Sequence, residues 1–423
     1  MNAALRLGYE GVAQIARAVA AVAPTSDHKL VATFAARRGV RERYAAFARD
    51  EARPLLWMHA PSVGEGLQAR PVLELFRQRR RDLQLAYTYF SPSARSFASA
   101  LDVDFRDVLP FDARGDMRAA LAALAPDALV FSKLDVWPTL ASEASHRGTR
   151  LGLVSATLAA RSSRRSGVAS ALLRDAYARL DLVGAISADD ADRLIALGVP
   201  ARRVTITGDA RYDQVWERAS RVDGHSRLLA PLRDARPTLV AGSTWPADEA
   251  ALLPAWARAV TGRGRARLVI APHEPTAAHL APIEAWSRES GLRVARLGAP
   301  GAPEADVVLV DRLGVLGDLY ALADLAFVGG GFHDAGLHSV LEPAAFGVGV
   351  VFGPRHGASR DARLLLDADG GVSVDGAPPL QDLLARWLRG ADDWRVIGDR
   401  ARAVVHAGLG AAERSYALVA ELL

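Results

Sequence analysis

The feature of this chain that most restricts its fold is a series of short, uninterrupted apolar segments separated by stretches long enough for helices. One series precedes the polar stretch 218–236, and a second series follows it. Strands of a parallel sheet covered on both faces are apolar along their whole length, whereas half-exposed strands alternate. The pattern therefore predicts an α/β fold with two doubly wound domains. The predicted strands lie within residues 55–60, 83–90, 127–133, 150–156, 181–187 and 204–208, and then 238–244, 266–272, 307–311, 325–330 and 349–354.

The length of 423 residues accommodates two such domains and a short leading segment. We expect an N-terminal helix at residues 1–30, a first domain at 31–216 and a second domain at 217–423. The final helices, within residues 392–423, are candidates for packing back on the first domain. Open α/β sheets bind ligands beyond the carboxyl ends of their strands, so we expect a ligand cleft between two facing domains.

Composition excludes several kinds of site. The chain contains no cysteine, which excludes disulfide scaffolds, zinc–thiolate sites, iron–sulfur clusters and thiol nucleophiles. No HExxH, EF-hand, Walker A or G-x-S-x-G pattern occurs, and the ten histidines are scattered. We therefore predict no metal and no cofactor. Only two lysines are present, Lys29 and Lys133, so a lysine inside a motif stands out.

Positive charge is concentrated at the start of the chain. Residues 1–53 contain nine basic and five acidic residues, an excess that equals the net charge of +4. Apolar residues between Leu5 and Val22 recur at helical spacing, but charged residues interrupt them too early for a bilayer span or a signal peptide. The segment predicts either an amphipathic helix on an anionic membrane or a helix packed on the protein. For the membrane alternative, the predicted basic flank is Arg37, Arg38, Arg41 and Arg43.

Nucleic acid is not an expected partner, because no arginine run is interleaved with stacking aromatics.

The first candidate for chemistry is the motif HAPSVGEG at residues 59–66, which follows a predicted strand. Gly64 and Gly66 permit tight backbone geometry, and Ser62 is a candidate cap for the next helix. Glu65 then falls in the first helical turn, at the ligand-binding edge of the sheet. A carboxylate there can act as a general base on an incoming hydroxyl, or it can simply complement the helix dipole.

The second candidate is the segment GGGFHDAGLHSVLEPAAFG at residues 329–347. Three consecutive glycines after a strand let backbone N–H groups approach a phosphate. A helix predicted to begin near Val340 places Glu342 in its first turn, where it can accept bonds from ribose hydroxyls, and Ser339 can donate to a phosphate. The alternative is a tight turn with a capping box from Ser339 to Glu342.

Further candidates follow other predicted strand ends. They are Ser243, Pro272, His273, Gly314, Lys133 and Asp135. Lys133 either binds an anionic acceptor or is a solvated lysine at a strand end.

Several motifs in the same order resemble the 3-deoxy-D-manno-octulosonic acid (Kdo) transferases, membrane-associated GT-B enzymes of lipopolysaccharide assembly. The family's H-A-x-S-V-G-E corresponds to residues 59–65, its E-L-W-P-N-L to 135–140 and its G-N-L-K-F-D to 208–213. The family signature that ends in L-E-P-A-A and F-G-P corresponds to residues 328–354. The resemblance extends from about residue 30 to the C-terminus.

The resemblance implies a GT-B fold, in which two Rossmann-like domains face a central cleft, and an inverting, metal-independent glycosyltransferase. It makes Glu65 the base that deprotonates a hydroxyl of a lipid A precursor (lipid IVA), while CMP-Kdo is the donor and CMP leaves. It also implies peripheral or monotopic attachment to the anionic inner-membrane surface, on the cytoplasmic side. The implied donor-binding residues are Ser243, Pro272, His273, Leu313, Gly314, Val315, Ser339, Val340, Leu341 and Glu342. The implied acceptor-side residues are Ser62, Lys133, Asp135 and Arg211.

The chain departs from the family pattern within these motifs. PHEP at residues 272–275 replaces P-R-H-P, so an arginine is missing beside His273. Val315 replaces a glutamate, and Lys133 stands where the family has a carboxylate. These changes leave open a GT-B transferase with a different activated sugar or acceptor. A protein of another class, a membrane-docked module that binds a nucleotide sugar without turnover, is a further alternative.

Overall fold

The apolar segments form two parallel sheets, as their composition predicts. The computed structural model describes residues 3–22, 24, 28–159, 162–261, 266–390 and 393–423. The chain divides into two compact units, one formed by Met1–Gln214 with Leu409–Leu423 and the other by Val215–Gly408. Within the described residues, each unit contains a seven-stranded sheet whose neighbouring strands are parallel. The predicted class of two doubly wound α/β domains is confirmed.

The sheet of the first unit is ordered so that its ligand-binding edge can be located. Its strands are β1 (Leu55–His59), β2 (Gln84–Tyr89), β3 (Phe105–Val108), β4 (Ala128–Ser132), β5 (Arg150–Ala156), β6 (Leu182–Ala185) and β7 (Val204–Ile206). Across the sheet they follow the order β3-β2-β1-β4-β5-β6-β7. The order reverses between β1 and β4, and a crevice opens beyond the carboxyl ends of strands at such a switch point.

The helices that begin in the first unit include two that follow these central strands. They are α1 (Ala3–Val22), α2 (Lys29–Ala35), α3 (Val40–Ala45), α4 (Val63–Arg79), α5 (Arg95–Ser99), α6 (Arg114–Leu124), α7 (Pro138–His146), α8 (Gly167–Ala178), α9 (Ala188–Leu197) and α10 (Arg211–Arg221). Helix α4 follows β1 and α7 follows β4, so both helices begin at the switch point.

The second unit repeats this plan. Its strands are β8 (Thr238–Thr244), β9 (Arg267–Pro272), β10 (Val294–Arg296), β11 (Val307–Leu309), β12 (Leu325–Val328), β13 (Gly349–Phe352) and β14 (Gly371–Ser373), in the order β10-β11-β9-β8-β12-β13-β14. Its helices are α11 (Pro246–Val260), α12 (Ala277–Glu289), α13 (Leu316–Leu319), α14 (Leu341–Ala345), α15 (Arg360–Asp367), α16 (Ala377–Leu388) and α17 (Trp394–Ala407). The switch point here lies between β8 and β12.

The last helix, α18 (Ala411–Ala420), belongs to the first unit. The carboxylate of Asp213 accepts hydrogen bonds from the backbone N–H of Gly410 at 2.7 Å and of Ala412 at 2.8 Å. The Tyr416 ring packs against Phe76 of α4 with 4.6 Å between centroids. The final aspartate of the 208–213 motif therefore caps the start of this helix and holds it on the unit.

Helix α1 packs on the first unit, which is one of the two arrangements that the sequence leaves open. Its polar side is held on the first unit: the Tyr9 hydroxyl donates to Asp112 at 2.8 Å, and Glu10 accepts from the backbone N–H of Arg114 at 3.0 Å. Its apolar side is exposed. The exposed apolar residues are Leu7, Val12, Ile15, Val19 and Val22, with exposed fractions of 43% to 81%.

Three of the four arginines of the predicted basic flank contact groups of their own unit, while Arg38 is exposed. Arg37 is buried, its guanidinium lies over two aromatic rings at 4.1 and 4.6 Å, and burial lowers its pKa to about 10. Arg41 forms an ion pair with Asp116, and Arg43 pairs with Asp107 at 2.6 Å. Arg37, Arg41 and Arg43 therefore have partners within the unit and offer less free positive charge to a membrane than the sequence alone suggests.

Among the helices that the structure describes, none is both long and apolar enough to cross a membrane.

Candidate active site

The connection from β1 to α4 carries the predicted base. Glu65 lies in the first turn of α4, and 16% of its side chain is exposed. Ser62 occupies the capping position with extended backbone, but its side chain forms no bond to the helix backbone. Its hydroxyl instead donates to Oε2 of Glu65. The expected cap at Ser62 is therefore wrong, because a hydroxyl forms a stronger, charge-assisted bond to a carboxylate.

The end of β4 supplies a positive charge to this carboxylate. Lys133 Nζ lies 2.9 Å from Oε1 of Glu65. Lys133 has a φ of 69°, which is uncommon for a residue other than glycine and is typical of functional sites. The Ser132 hydroxyl also donates to the backbone carbonyl of Glu65 at 3.0 Å. These bonds join the start of α4 to the end of β4 across the switch point.

The protonation state of Glu65 follows from this environment. Burial by itself raises the pKa of Glu65, but the Lys133 ammonium and the Ser62 hydroxyl outweigh burial and hold the pKa below its ordinary value. The carboxylate is therefore ionised at neutral pH and can accept a proton, as a general base must.

Two other predicted acceptor-side residues are engaged in separate ion pairs. Asp135 pairs with Arg164; burial raises the pKa of Asp135 and the guanidinium opposes this. Arg211 binds Asp209 through Nε at 2.9 Å and Nη2 at 2.7 Å. Asp209 also accepts a hydrogen bond from Gln68 of α4 at 3.1 Å. The structure thus brings Ser62, Glu65 and Lys133 into contact, and it links Arg211 to α4 through Asp209.

His59, which begins the motif, is fixed in a structural role. It is fully buried, and burial lowers its pKa to about 3, so its ring is neutral. Trp137 Nε1 donates to His59 Nε2 at 3.0 Å, which places the ring proton on Nδ1. That nitrogen lies 2.9 Å from the Thr88 hydroxyl oxygen, which also accepts from Trp57 at 2.8 Å. This network joins β1, β2 and the residue before α7.

An apolar groove of about 620 Å³ lies beside Asp135 in the same unit. Tyr9 of α1, Trp137, and Leu172 and Leu173 of α8 contribute to its wall. The groove brings the N-terminal helix next to the switch point of the first sheet.

In the second unit, the glycine loop follows β12 and is organised by Asp248. This residue of α11 is fully buried. Its Oδ2 accepts from the backbone N–H of Gly330 at 2.7 Å and of Trp245 at 2.9 Å, and its Oδ1 accepts from Phe332 at 3.0 Å. A side chain at Gly329 would place its Cβ 2.2 Å from the backbone oxygen of Ser243, so only glycine fits there.

An aromatic stack surrounds the end of β8. The Trp245 ring lies parallel to His333, with 4.3 Å between centroids, and also stacks on His273 at 4.7 Å. His273 in turn stacks on His338 at 4.5 Å. Trp245 Nε1 donates to His338 Nε2 at 3.0 Å, while burial and the neighbouring imidazoles lower the pKa of His338 to about 4. His338 is therefore neutral at neutral pH.

The other predicted donor-side residues lie at the same edge of the second sheet. Pro272 ends β9, Ser243 has a left-handed φ of 54°, and Leu313 and Gly314 precede Val315, the residue before α13. Val340 is the residue before α14, which begins at Leu341. The alternative of a capping box from Ser339 to Glu342 does not hold, because Val340 occupies the capping position and the helix begins one residue later than predicted.

Arg218 adds a positive charge that the sequence analysis missed. Its guanidinium donates to Asp318 at 3.0 Å and to the backbone carbonyl of Gly314 at 3.2 Å. Burial raises the pKa of Glu342, and Arg218 opposes this shift. Arg218 therefore lies within electrostatic reach of a carboxylate that the sequence assigns to ribose binding.

Four residues of the second unit were not predicted from the sequence, because no recognisable motif assigns them a role. Trp245, Asp248 and Arg218 belong to no motif that carries chemistry by spacing, and His333 lies inside the glycine segment without a predicted role. A cavity of about 760 Å³ in the second unit lies near Pro237, Asp324 and Gly347. These residues precede strands, so that cavity is at the opposite edge from the ligand-binding one.

The family model for 3-deoxy-D-manno-octulosonic-acid transferase (kdotransferase) matches residues 38–214. The 3-deoxy-D-manno-octulosonic acid transferase of Bordetella pertussis is 31% identical over 388 residues, which cover 88% of this chain and 89% of the relative. The Haemophilus influenzae protein of the same name is 25% identical over 388 residues, with coverages of 89% and 90%.

Solved structures share the fold at low sequence identity. The UDP-GlcNAc 2-epimerase of Neisseria meningitidis bound to UDP-GlcNAc has a TM-score of 0.56 and 12% identity, covering 84% of this chain and 98% of that one. Anabaena HepE in complex with UDP has a TM-score of 0.54 and 14% identity, covering 87% and 99%. The family match spans Glu65 and Lys133, and the overall fold is GT-B-like. The chain therefore belongs to the 3-deoxy-D-manno-octulosonic acid transferase family of glycosyltransferases.

Proposed function

We propose that this chain transfers Kdo from CMP-Kdo to a hydroxyl of a lipid A precursor, with inversion at the anomeric carbon and without a metal. The observation that carries the proposal is the ionised Glu65, held at the switch point of the first sheet by Ser62 and Lys133. The identity of the transferred sugar is inferred from membership in the family, and the identity of the base is inferred from the geometry around Glu65.

The proposed mechanism is a single displacement. Glu65 takes the proton of the acceptor hydroxyl, the hydroxyl oxygen forms a bond to the anomeric carbon, and the bond from that carbon to the phosphate oxygen breaks. CMP leaves with the bonding electron pair, and attack opposite the leaving group inverts the anomeric centre. The leaving group is a phosphate monoester with no pyrophosphate to be bridged by a cation, which supports a reaction without metal.

The second unit offers suitable chemistry for the donor. The Ser339 hydroxyl and the Arg218 guanidinium can stabilise a phosphate. In the glycine loop, the N–H groups of Gly330 and Phe332 are already bonded to Asp248, which fixes the shape of the loop. The flat face of the Trp245–His273 stack can contact a pyrimidine ring. His273 is the candidate replacement for the arginine that the family has in this motif.

The test is transfer of Kdo from CMP-Kdo to lipid IVA by the purified protein in the presence of EDTA. A product in which the new Kdo linkage is inverted relative to CMP-Kdo is expected, and no product under these conditions contradicts the proposal.

A different nucleotide sugar is the second candidate, favoured by the loss of an arginine beside His273 and of a glutamate at Val315. A ligand that binds only the native state raises the melting temperature, by an amount that grows with the ratio of the ligand concentration to its Kd. We expect stabilisation by CMP and none by UDP or GDP at equal concentration. Selective stabilisation by UDP would favour the second candidate, and CMP binding without turnover on any acceptor would favour a non-catalytic protein.

We further propose that the exposed apolar side of α1 attaches the protein peripherally to the cytoplasmic face of the inner membrane, where the acceptor resides. A helix with one apolar side lies in the interface and gains binding energy from the apolar area that it buries. The internal pairing of Arg41 and Arg43 favours an apolar contact over a polybasic one.

The double variant Val12→Asp/Ile15→Asp is expected to abolish sedimentation with phosphatidylglycerol liposomes without lowering the melting temperature. Both side chains are exposed, by 68% and 66%, so the substitutions remove membrane contacts and no packing. Wild-type binding should largely persist at high salt, since screening weakens only charge contacts. The control Ile206→Asp/Val396→Asp makes the same charge change on other exposed apolar residues and should sediment normally. Normal sedimentation of the α1 variant would contradict the proposal.

A further inference from the structure

We propose that Lys133 binds an anionic phosphate group of the acceptor and, by leaving Glu65 to do so, releases the catalytic base. This inference rests on the proposed function and specifies which chemical feature of the acceptor the site recognises.

Lys133 can form more hydrogen bonds through its ammonium than the described structure shows. Its ammonium carries three N–H donors. In the described structure its side chain forms one hydrogen bond, to Glu65, and 41% of it is exposed. The nearby cations differ, because Arg164 is paired with Asp135 and Arg211 with Asp209. Lys133 therefore differs from these two arginines, because its carboxylate partner in the described structure is the proposed base, Glu65.

The Lys133 ammonium stabilises the ionised form of Glu65 and therefore opposes the transfer of a proton to it. Ser62 bonds to Oε2 and Lys133 to Oε1, so each carboxylate oxygen already accepts one hydrogen bond. The Ser62 hydroxyl is on a short side chain at the rigid start of α4. The Lys133 ammonium is on a flexible four-carbon chain and can move between ligands. When Lys133 turns away, Oε1 loses this hydrogen bond and becomes a stronger proton acceptor for the hydroxyl of the acceptor substrate.

A phosphate is the group suited to draw Lys133 away. At neutral pH a phosphate monoester carries about −1.5 to −2 charges and three strong acceptor oxygens, against a single charge on Glu65. The left-handed backbone of Lys133, with its N–H bonded to the Val154 carbonyl at 2.9 Å, fixes the base of the side chain at the end of β4. The ammonium can thus exchange partners while the strand end stays in place.

The exchange would change the basicity of Glu65. Once the ammonium leaves, the titratable groups that remain around Glu65 are the carboxylate of Asp135, the Tyr87 hydroxyl and the neutral His59. None of these carries a positive charge, and burial then raises the pKa of Glu65. The base becomes stronger when the acceptor's phosphate is bound.

The pH dependence of transfer tests this exchange, because kcat/KM reports groups of the free enzyme and kcat those of the complex. For the wild type with a phosphorylated acceptor, we expect the acid limb of kcat to lie at a higher pH than that of kcat/KM. In Lys133→Met both limbs should lie at the higher pH, and KM for the acceptor should rise about tenfold. With a dephosphorylated acceptor, the wild type should show the same high KM, and Lys133→Met should add no further increase.

Two variants serve as controls. Lys133→Arg keeps the charge and should restore the separation of the limbs in part. Arg70→Met removes a basic residue of α4 that pairs with Glu74 and should behave as the wild type. Coincident limbs in the wild type, or an equal rise of KM for both acceptors in Lys133→Met, would overturn the inference.

A binding measurement separates this inference from the proposed function. Calorimetric titration of the phosphorylated acceptor without donor needs no turnover. We expect a Kd about tenfold weaker for Lys133→Met than for the wild type. An unchanged Kd refutes the role of Lys133 even if Kdo is transferred, whereas a weakened Kd supports it even if the donor proves to be another sugar.

Discussion

Replacing Glu65 by glutamine is expected to slow Kdo transfer by about 10²–10⁴-fold, the usual contribution of a positioned general base. Glutamine keeps the shape of the side chain and can still accept a bond from Ser62, but it cannot take a proton at neutral pH. The substitution removes an ionised group from a partly buried position and leaves the Lys133 ammonium facing solvent. The measurement is the initial rate of transfer at saturating donor and acceptor.

The matched control is Glu74→Gln, which changes the same residue type two to three turns further along α4, in an exposed pair with Arg70. Exposed pairs of this kind contribute about 0.3–0.5 kcal/mol, so this variant should retain the wild-type rate and melting temperature. If Glu65→Gln transferred Kdo at more than about a tenth of the wild-type rate, Glu65 would not be the base.

The sequence was sufficient to predict the central strands of both sheets, because each of them carries its own apolar signal. The short edge strands β3, β10 and β14 were missed, because they are partly exposed and have no continuous apolar run. Apolar runs such as residues 55–59 and 128–132 are fully buried as strands β1 and β4. Parallel strands end at a common edge, so the sequence indicated residues just after these runs as candidates for the site. It did not predict that Glu65 and Lys133, 68 positions apart, form a pair, but the common edge explains why they meet.

Local sequence patterns gave wrong roles for side chains that bind a group from a distant part of the chain. Ser62 stands where a cap is expected, yet its hydroxyl bonds to Glu65. Arg37 belongs to a basic run, yet two aromatic rings from elsewhere in the unit enclose it. Asp248 was missed because its partners, Gly330 and Phe332, lie 82 and 84 positions away. Such roles depend on which loops the fold brings together, and spacing along the chain does not encode them.

Asp248→Ala is expected to destabilise the second unit by about 3–5 kcal/mol and to remove its stabilisation by CMP. The substitution leaves three backbone N–H groups, those of Trp245, Gly330 and Phe332, without their acceptor in a buried environment. Each such loss costs about 1–3 kcal/mol. For a unit of this size, the melting temperature should fall by about 10 °C. The glycine loop then loses the conformation that Asp248 holds at the ligand-binding edge of the sheet, which is why the CMP effect should vanish as well.

The comparison that isolates this role is Asp393→Ala, which removes an aspartate that caps α17 through a bond to Val396 at 3.3 Å. An ordinary cap contributes about 1 kcal/mol, so this variant should lose little stability and keep the full shift with CMP. Asp248→Asn retains one acceptor oxygen and should fall between the two. The measurement is thermal unfolding of each variant with and without CMP. Equal melting temperatures for Asp248→Ala and Asp393→Ala would show that Asp248 is an ordinary cap, and an undiminished CMP shift in Asp248→Ala would separate the glycine loop from nucleotide binding.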